Sequence, residues 1–289
     1  DGKSWLAINE TVFLTPDLRE DSQIGDVCFE VFKLLVEGNG AVIDLPRNVF
    51  ESFKKYGLAE KIHSRSYDTS RFFLELFFPN IGLVPPDLRD NLVLYALDSQ
   101  REELNNAMKV YACISVSPDR HNLKCPSQLI DPRRSAALLF SPEDERFPEE
   151  AFRHPLQLHQ LEQLGMLTDD LPWSDVVERA ESVLNLSQTC SKAASERIKR
   201  LIEFLEKKCK NNKKCLPSTK EKQLLLVTKF LPVLTRPQTF PLAWKGSEMI
   251  YGDKLALISP AQGFLKDSLY LACSSAPIID AAIPPNVKR

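Results

Sequence analysis

A basic run at residues 207–214, Lys-Lys-Cys-Lys-Asn-Asn-Lys-Lys, is the part of the chain best suited to contact phosphate groups. Such lysines could bind nucleic acid or a phosphoinositide headgroup. No aromatic residue lies among them, although aromatic stacking commonly holds single-stranded nucleic acid. The run also ends a helical pattern, where cations complement the helix dipole. We therefore favour a helix end followed by an exposed loop.

The histidines and cysteines lack the spacing of a metal site. His154 and His159 are five residues apart, so a single helix does not present both on one face. Cys209 and Cys215 form one pair, whereas a structural zinc site needs four ligands. The sequence therefore predicts no metal ligand.

Motifs for nucleotide binding and nucleophilic catalysis are also missing from the sequence. Gly38-Asn39-Gly40 follows a predicted helix and precedes a predicted strand, which reverses the dinucleotide-binding order. There is no phosphate-binding Gly-x4-Gly-Lys-Ser/Thr loop and no Gly-x-Ser-x-Gly elbow. Acidic pairs such as Asp169-Asp170 fall in polar segments and indicate solvated charge. We predict no enzyme activity, no catalytic or cofactor-binding residue and no cofactor.

Composition and charge restrict the class of protein and its surroundings. The net charge of −2 does not favour nucleic acid or anionic lipid, and no apolar run is long enough to span a membrane. Three of the seven cysteines, Cys28, Cys113 and Cys273, lie in apolar runs, as reduced buried thiols do. Reduced thiols suit a cytosolic or nuclear compartment. We expect a cytoplasmic protein with no nucleic-acid partner and no membrane span.

Helical patterns dominate the secondary structure that the sequence predicts. Helices are expected over residues 22–37, from Pro46, after Asp68 or Thr69, from Pro86, and over 155–165, 174–187, 189–209 and beyond the Ser218–Glu221 capping box. Short strands are expected at 41–43, 110–116, 231–234, 255–258 and 268–273. The aromatic cluster of Phe72, Phe73, Phe77 and Phe78 indicates core packing in preference to a groove.

These elements predict a mixed, helix-rich α+β fold, because their alternation is too irregular for a doubly wound parallel sheet. A strand-like run at 110–116 leads into a Pro/Ser turn at 123–132, and a looser copy joins 230–234 to 257–261. The sequence thus suggests a pseudo-repeat of a strand-plus-helices unit. The predicted sub-units are residues 1–122 and 123–289, with one continuous domain as the alternative.

Several sequence blocks, taken in their order and spacing, resemble the repeating regions of the sacsin family of very large chaperone-related proteins. The blocks are residues 31–46, 77–80, 126–132, 147–148 with 161–165, and 230–234 with 244–246. In that family each long repeat opens with an Hsp90-like ATP-binding subdomain, marked by an Asn-Ala-Asp-Asp-Ala helix that this chain lacks. The His-Pro-Asp of a J domain is missing as well, since His154-Pro155 continues with Leu156. The resemblance therefore implies an internal fragment outside the ATP-binding subdomain.

The resemblance also implies a role for the chain. It implies a non-catalytic structural and protein-interaction segment, linked to Hsp70-dependent quality control and to intermediate-filament and mitochondrial organisation. The implied partners are neighbouring segments of the same chain, with Hsp70 and filament proteins as further candidates. The alternative is part of a nucleotide-dependent Hsp90-like ATPase module, to which 207–214, Arg71 or Arg133 contributes charge in trans.

Overall fold

A computed structural model describes residues 10–36, 41–141, 144–211, 217–235 and 245–251. Helices dominate and the strands are short, so the predicted helix-rich α+β class is confirmed. The chain packs as two compact units. The first holds the described residues up to Pro132 and those from 144 to Leu167; the second holds residues 133–141 and those from Thr168 onward. The predicted division between residues 122 and 123 stays a prediction.

Helices form most of the first unit, and those predicted near 22–37 and after Pro46, Asp68 and Pro86 are all present. They are α1 (Pro16–Arg19), α2 (Gly25–Val36), α3 (Arg47–Lys55), α4 (Ala59–His63), α5 (Thr69–Arg71), α6 (Pro86–Ser99), α7 (Glu102–Val110) and α8 (Pro155–Gln163). A π-helical segment, Phe72–Phe77, and a 3-10 segment, Phe78–Leu83, continue α5. Gly25 is needed where α2 begins, because a Cβ there would lie 2.2 Å from the Arg19 carbonyl oxygen.

A small parallel sheet lies in the first unit, with strand order β2-β1-β3. Its strands are β1 (Thr11–Leu14), β2 (Ala41–Val42) and β3 (Ser66–Tyr67). Val12 pairs with Val42 on one side of β1, and Phe13 pairs with Ser66 on the other. Only β2 was predicted from the sequence. All four residues of β1 are buried, so it shows no apolar–polar alternation.

Aromatic side chains fill the core of the first unit, as the sequence predicted. Phe72, Phe73, Phe77 and Phe78 are each at most 1% exposed. The ring of Tyr95 on α6 stacks with Phe73 at a centroid distance of 6.1 Å. Such offset ring pairs add to the stabilisation that burial of their area provides. The π-helical turn thereby joins the core to α6.

The prediction of a strand over residues 110–116 was wrong for its first part. Helix α7 continues to Val110, and only Ile114–Ser115 form β4, antiparallel to β5 (Leu123–Lys124). Leu104, Ala107 and Met108 are buried on one face of α7. This packing at helical spacing outweighs the β-branched composition, because strand propensity depends strongly on context.

The described part of the second unit contains three helices, a 3-10 segment and a pair of antiparallel strands. They are α9 (Trp173–Thr189), α10 (Ser191–Asn211), α11 (Thr219–Val227), the 3-10 segment Ser135–Leu139, and the antiparallel pair β6 (Lys229–Thr235) and β7 (Lys245–Tyr251). The Ser218–Glu221 capping box is confirmed, since the Glu221 carboxylate accepts the Ser218 backbone N–H at 2.8 Å. The predicted strand at 231–234 falls within β6, whereas β7 was not predicted.

Some predictions concern residues outside the described ranges. They are the helix stop at residues 38–40, the strands at 255–258 and 268–273, and the second copy of the turn at 257–261. The pseudo-repeat therefore stays a prediction.

Candidate functional site

A cavity of about 870 Å³ opens at the carboxyl edge of the parallel sheet. Its walls include Thr15, directly after β1, and Asp68, directly after β3. The chain runs from β1 to β2 on one side and reaches β3 on the other, so the strand order reverses between β1 and β3. Open parallel sheets bind ligands at such a point, and the volume suits a small molecule. We call this cavity the sheet-end crevice.

Helices begin at both strand ends in the sheet-end crevice. Thr15 precedes α1, whose first residue is Pro16, a residue whose fixed backbone suits a helix start. Asp68 precedes α5, and its carboxylate accepts the Arg71 backbone N–H at 2.9 Å. The predicted helix cap at Asp68 is thus confirmed, and the cap holds this carboxylate at the edge of the sheet.

The inner wall of the crevice is apolar. Phe50 of α3 and Ile62 of α4 line it and cluster with Phe13 of β1. The rings of Phe13 and Phe50 meet edge to face at a centroid distance of 6.2 Å. This contact packs α3 on the central strand and fixes the depth of the crevice.

Three exposed basic side chains surround the crevice. They are Lys54 on α3, His63 at the end of α4 and Arg101 before α7. The Lys54 ammonium lies 4.4 Å from the centroid of the Phe50 ring and 3.6 Å from Glu51. Within the ranges that the structure describes, neither the His63 imidazole nor the Arg101 guanidinium has a hydrogen bond or ion pair. These two side chains are therefore available to a ligand.

Two carboxylates, both partly engaged, face the same space. Asp17 pairs with Arg47 through one oxygen at 2.9 Å. Asp68 uses Oδ1 for the helix cap, which leaves Oδ2 able to accept a hydrogen bond. The crevice thus offers both hydrogen-bond acceptors and cationic donors.

Arg71, a predicted phosphate contact in trans, is a structural tie beside the crevice. Its Nε and one terminal nitrogen donate to the Glu75 carboxylate at 3.1–3.2 Å. The other terminal nitrogen donates to the carbonyl oxygens of His63 and Ser66, both at 2.6 Å. Hydrogen bonding to Glu75 raises the Arg71 pKa. Every nitrogen of the guanidinium is engaged, so Arg71 is held in place by residues of its own unit.

Lys208, a residue of the basic run, is buried in the second unit. Its ammonium donates to Asp170 at 2.7 Å and to the Leu171 carbonyl oxygen at 2.6 Å. It also lies 5.3 Å from the centroid of a Trp173 ring. Helix α10 does end in this run, as predicted, but Lys208 ties that end to the segment before α9. Lys207 is exposed beside a cavity of about 380 Å³.

Arg133, the remaining predicted trans contact, is engaged in an interaction and is not free. His154 caps α8 by accepting the Leu156 backbone N–H at 3.4 Å, whereas His159 is exposed. Across the described ranges, no three His, Cys, Asp or Glu side chains are grouped to hold a metal ion. No helix within those ranges is long and apolar enough to cross a membrane.

A buried charge network in the first unit was missed by the sequence analysis. Arg89 and Asp90 of α6 are 2% and 3% exposed. Arg89 donates to the Ser115 hydroxyl at 2.7 Å and to Asp90 at 3.2 Å. Ser115 also donates to Asp90, and Arg120 pairs with the second Asp90 oxygen at 2.8 Å. The network joins α6 to β4 and to the turn before β5.

The sequence of this chain was compared with family models, with solved structures and with curated proteins. No family model and no solved structure matches it. The chain is 32% identical to human sacsin over 255 residues, which is 86% of this chain. The chain is sacsin-like. The predicted resemblance is thereby confirmed. The sacsin-like chain spans about 6% of the length of that relative.

Proposed function

We propose that this chain is a non-catalytic structural and protein-interaction segment of a large sacsin-like chaperone or co-chaperone. The observation that carries the proposal is the 32% identity to sacsin over 86% of the chain. The sequence also lacks the motifs of an Hsp90-like ATP-binding subdomain and of a J domain. The segment accordingly belongs to a part of a repeat beyond the ATP-binding subdomain.

The internal bonding of basic side chains supports a structural role. The candidates to reach a phosphate in a neighbouring module were Arg71, Arg133 and the run 207–214. Among them, Arg71 and Lys208 are each held by several hydrogen bonds. Breaking those bonds to reach outward would leave carbonyl oxygens without donors, which is costly in a buried setting. These cations therefore stabilise the fold of their own unit.

The proposal includes a cytoplasmic setting and specific partner classes. Neighbouring segments of the same chain are the first partners, and Hsp70 or filament proteins are the further ones, in line with a role in filament and mitochondrial organisation. Val110 and Leu83 of the first unit are 75% and 71% exposed. Cross-linking from these two positions is the direct way to identify what covers them.

ATP turnover tests the non-catalytic part of the proposal. Among the described residues of the basic run, Lys207 is exposed beside a cavity, so Lys207→Gln in a longer sacsin-like protein removes a charge that is free to act in trans. We expect turnover to match that of the parent protein, with exposed Lys109→Gln as the control. A selective loss with Lys207→Gln, or turnover by the chain alone, would contradict the proposal.

A further inference from the structure

We propose that the sheet-end crevice binds a small phosphate ester that carries free hydroxyl groups, of the sugar phosphate class. The proposal rests on the juxtaposition of the β1 and β3 ends with three basic side chains from separate elements. It is independent of the protein-interaction role, because a scaffold segment can hold a ligand without transforming it.

The topology sets the position of the site. Side chains that follow neighbouring parallel strands meet at one edge, and here Thr15, Asp68 and Thr69 do so. Helix α1 leaves that edge after β1 and α5 leaves it after β3, on either side of the point where the strand order reverses. The cavity of about 870 Å³ lies within the range that encloses small ligands.

The phosphate end of the ligand is assigned to the basic side. The Arg101 guanidinium offers a planar, charged fork to oxyanions, and its position before α7 leaves it exposed to the crevice. His63 and Lys54 lie on the same cavity from α4 and α3. Neither Arg101 nor His63 must give up a hydrogen bond or ion pair with a described residue to take a ligand.

The hydroxyl groups of the ligand are assigned to the carboxylate side. Asp68 keeps Oδ2 for a hydroxyl donor while its Oδ1 caps α5. Dinucleotide-binding sheets use a carboxylate in the same chemical way, to accept hydroxyl groups of a ribose. Asp17 and Asp68 repel a bare phosphate ion, however, so an ester with hydroxyls is favoured over inorganic phosphate.

Calorimetric titration of the full chain tests the assignment with three probes: ribose 5-phosphate, inorganic phosphate and ribose. We expect ribose 5-phosphate to bind with a Kd below about 1 mM, which corresponds to about −4 kcal/mol. Inorganic phosphate and ribose should each bind at least about tenfold more weakly, because each engages half of the charge-assisted hydrogen bonds. No heat with ribose 5-phosphate, or equal affinity for inorganic phosphate, would overturn the proposal.

Two variants separate the two ends of the site. Arg101→Gln should weaken the binding of ribose 5-phosphate by at least about tenfold. Lys109→Gln, at an exposed residue in the last turn of α7 that does not line the crevice, should leave that binding unchanged. Asp68→Asn keeps a good helix cap, so the fold is retained. The variant should weaken the binding of ribose 5-phosphate yet strengthen the binding of inorganic phosphate, because one repelling charge is gone. Equal effects of Asp68→Asn on both probes would also refute the assignment.

Discussion

Two aspartates that bind the same arginine provide a matched test of how burial controls the contribution of a charged side chain to stability. Arg120 pairs with Asp87 at 2.9 Å and with Asp90 at 2.8 Å. The Asp87 side chain is 87% exposed, whereas that of Asp90 is 4% exposed. Asp90 also accepts from Arg89 and Ser115, both buried. The same substitution, Asp→Asn, therefore removes a solvated charge in one case and a buried partner in the other.

The expected magnitudes follow from these two environments. Asp90→Asn leaves the buried Arg89 guanidinium without its carboxylate, and loss of one partner of a buried pair costs about 3–5 kcal/mol of unfolding free energy. Asn can still accept a hydrogen bond from Ser115, which favours the lower end of that range. Asp87→Asn removes an exposed pair, which is typically worth about 1 kcal/mol or less.

Urea unfolding followed by far-ultraviolet circular dichroism measures both changes. Hydrogen exchange read by mass spectrometry should place the Asp90→Asn effect in α6 and β4, because the network joins these elements. Equal small losses in the two variants, or an effect confined to the second unit, would refute the reasoning from burial.

Three further perturbations have defined outcomes. Lys208→Met should cost about 1–3 kcal/mol in urea unfolding, because the buried Leu171 carbonyl oxygen loses its ammonium donor. Leu201→Ala, on the buried face of α10, should cost about 2–5 kcal/mol by the same measurement. Burial raises the pKa of the Cys28 and Cys113 thiols above their ordinary value, so the unfolded chain loses these protons first. The contribution of these thiols to the unfolding free energy should therefore be fully present near neutral pH. It should fall above about pH 9, by up to about 1.4 kcal/mol per pH unit for each thiol.

The lysine and thiol predictions each have a control of the same residue type, and the leucine prediction has an outcome that would contradict it. Exposed Lys207→Met should change the unfolding free energy by less than about 0.5 kcal/mol, and a larger loss would mean that charge, not burial, sets the cost. A loss of that small size for Leu201→Ala would place its side chain on the solvent face. Cys190→Ala, at an exposed thiol, should leave the alkaline slope unchanged, whereas Cys113→Ala should reduce it. An alkaline slope that both variants preserve would contradict the thiol assignment.

Local signals in the sequence were enough to predict much of the helical structure. Asp68 and Ser218 begin helices as capping rules require, and Gly57 has the positive φ of 77° expected after α3. Such rules involve residues a few positions apart. The phenylalanine cluster was equally predictable, because closely spaced large apolar side chains have no better place than the core.

The buried network and the crevice depend on contacts between distant parts of the chain. Arg89 and Asp90 lie in an otherwise ordinary helix, and their partner Ser115 is 26 and 25 residues away. The strand β3 is two residues long, which is too short for any period to be visible. Arg101 reaches the crevice only because α6 and α7 fold back near the sheet end. Thr15 and Asp68, a hydroxyl and a carboxylate that each directly follow a short strand, are the sequence signal that could have pointed to this edge.

Suppression of client aggregation most directly tests the proposed protein-interaction role. Light scattering of heat-denatured citrate synthase would be followed with the full chain present, with and without ATP, and with serum albumin at equal mass as the control. We expect the chain to delay and reduce scattering to the same extent in both conditions, whereas albumin should not. No protection at any ratio, or protection only while the chain hydrolyses ATP, would contradict the proposed role.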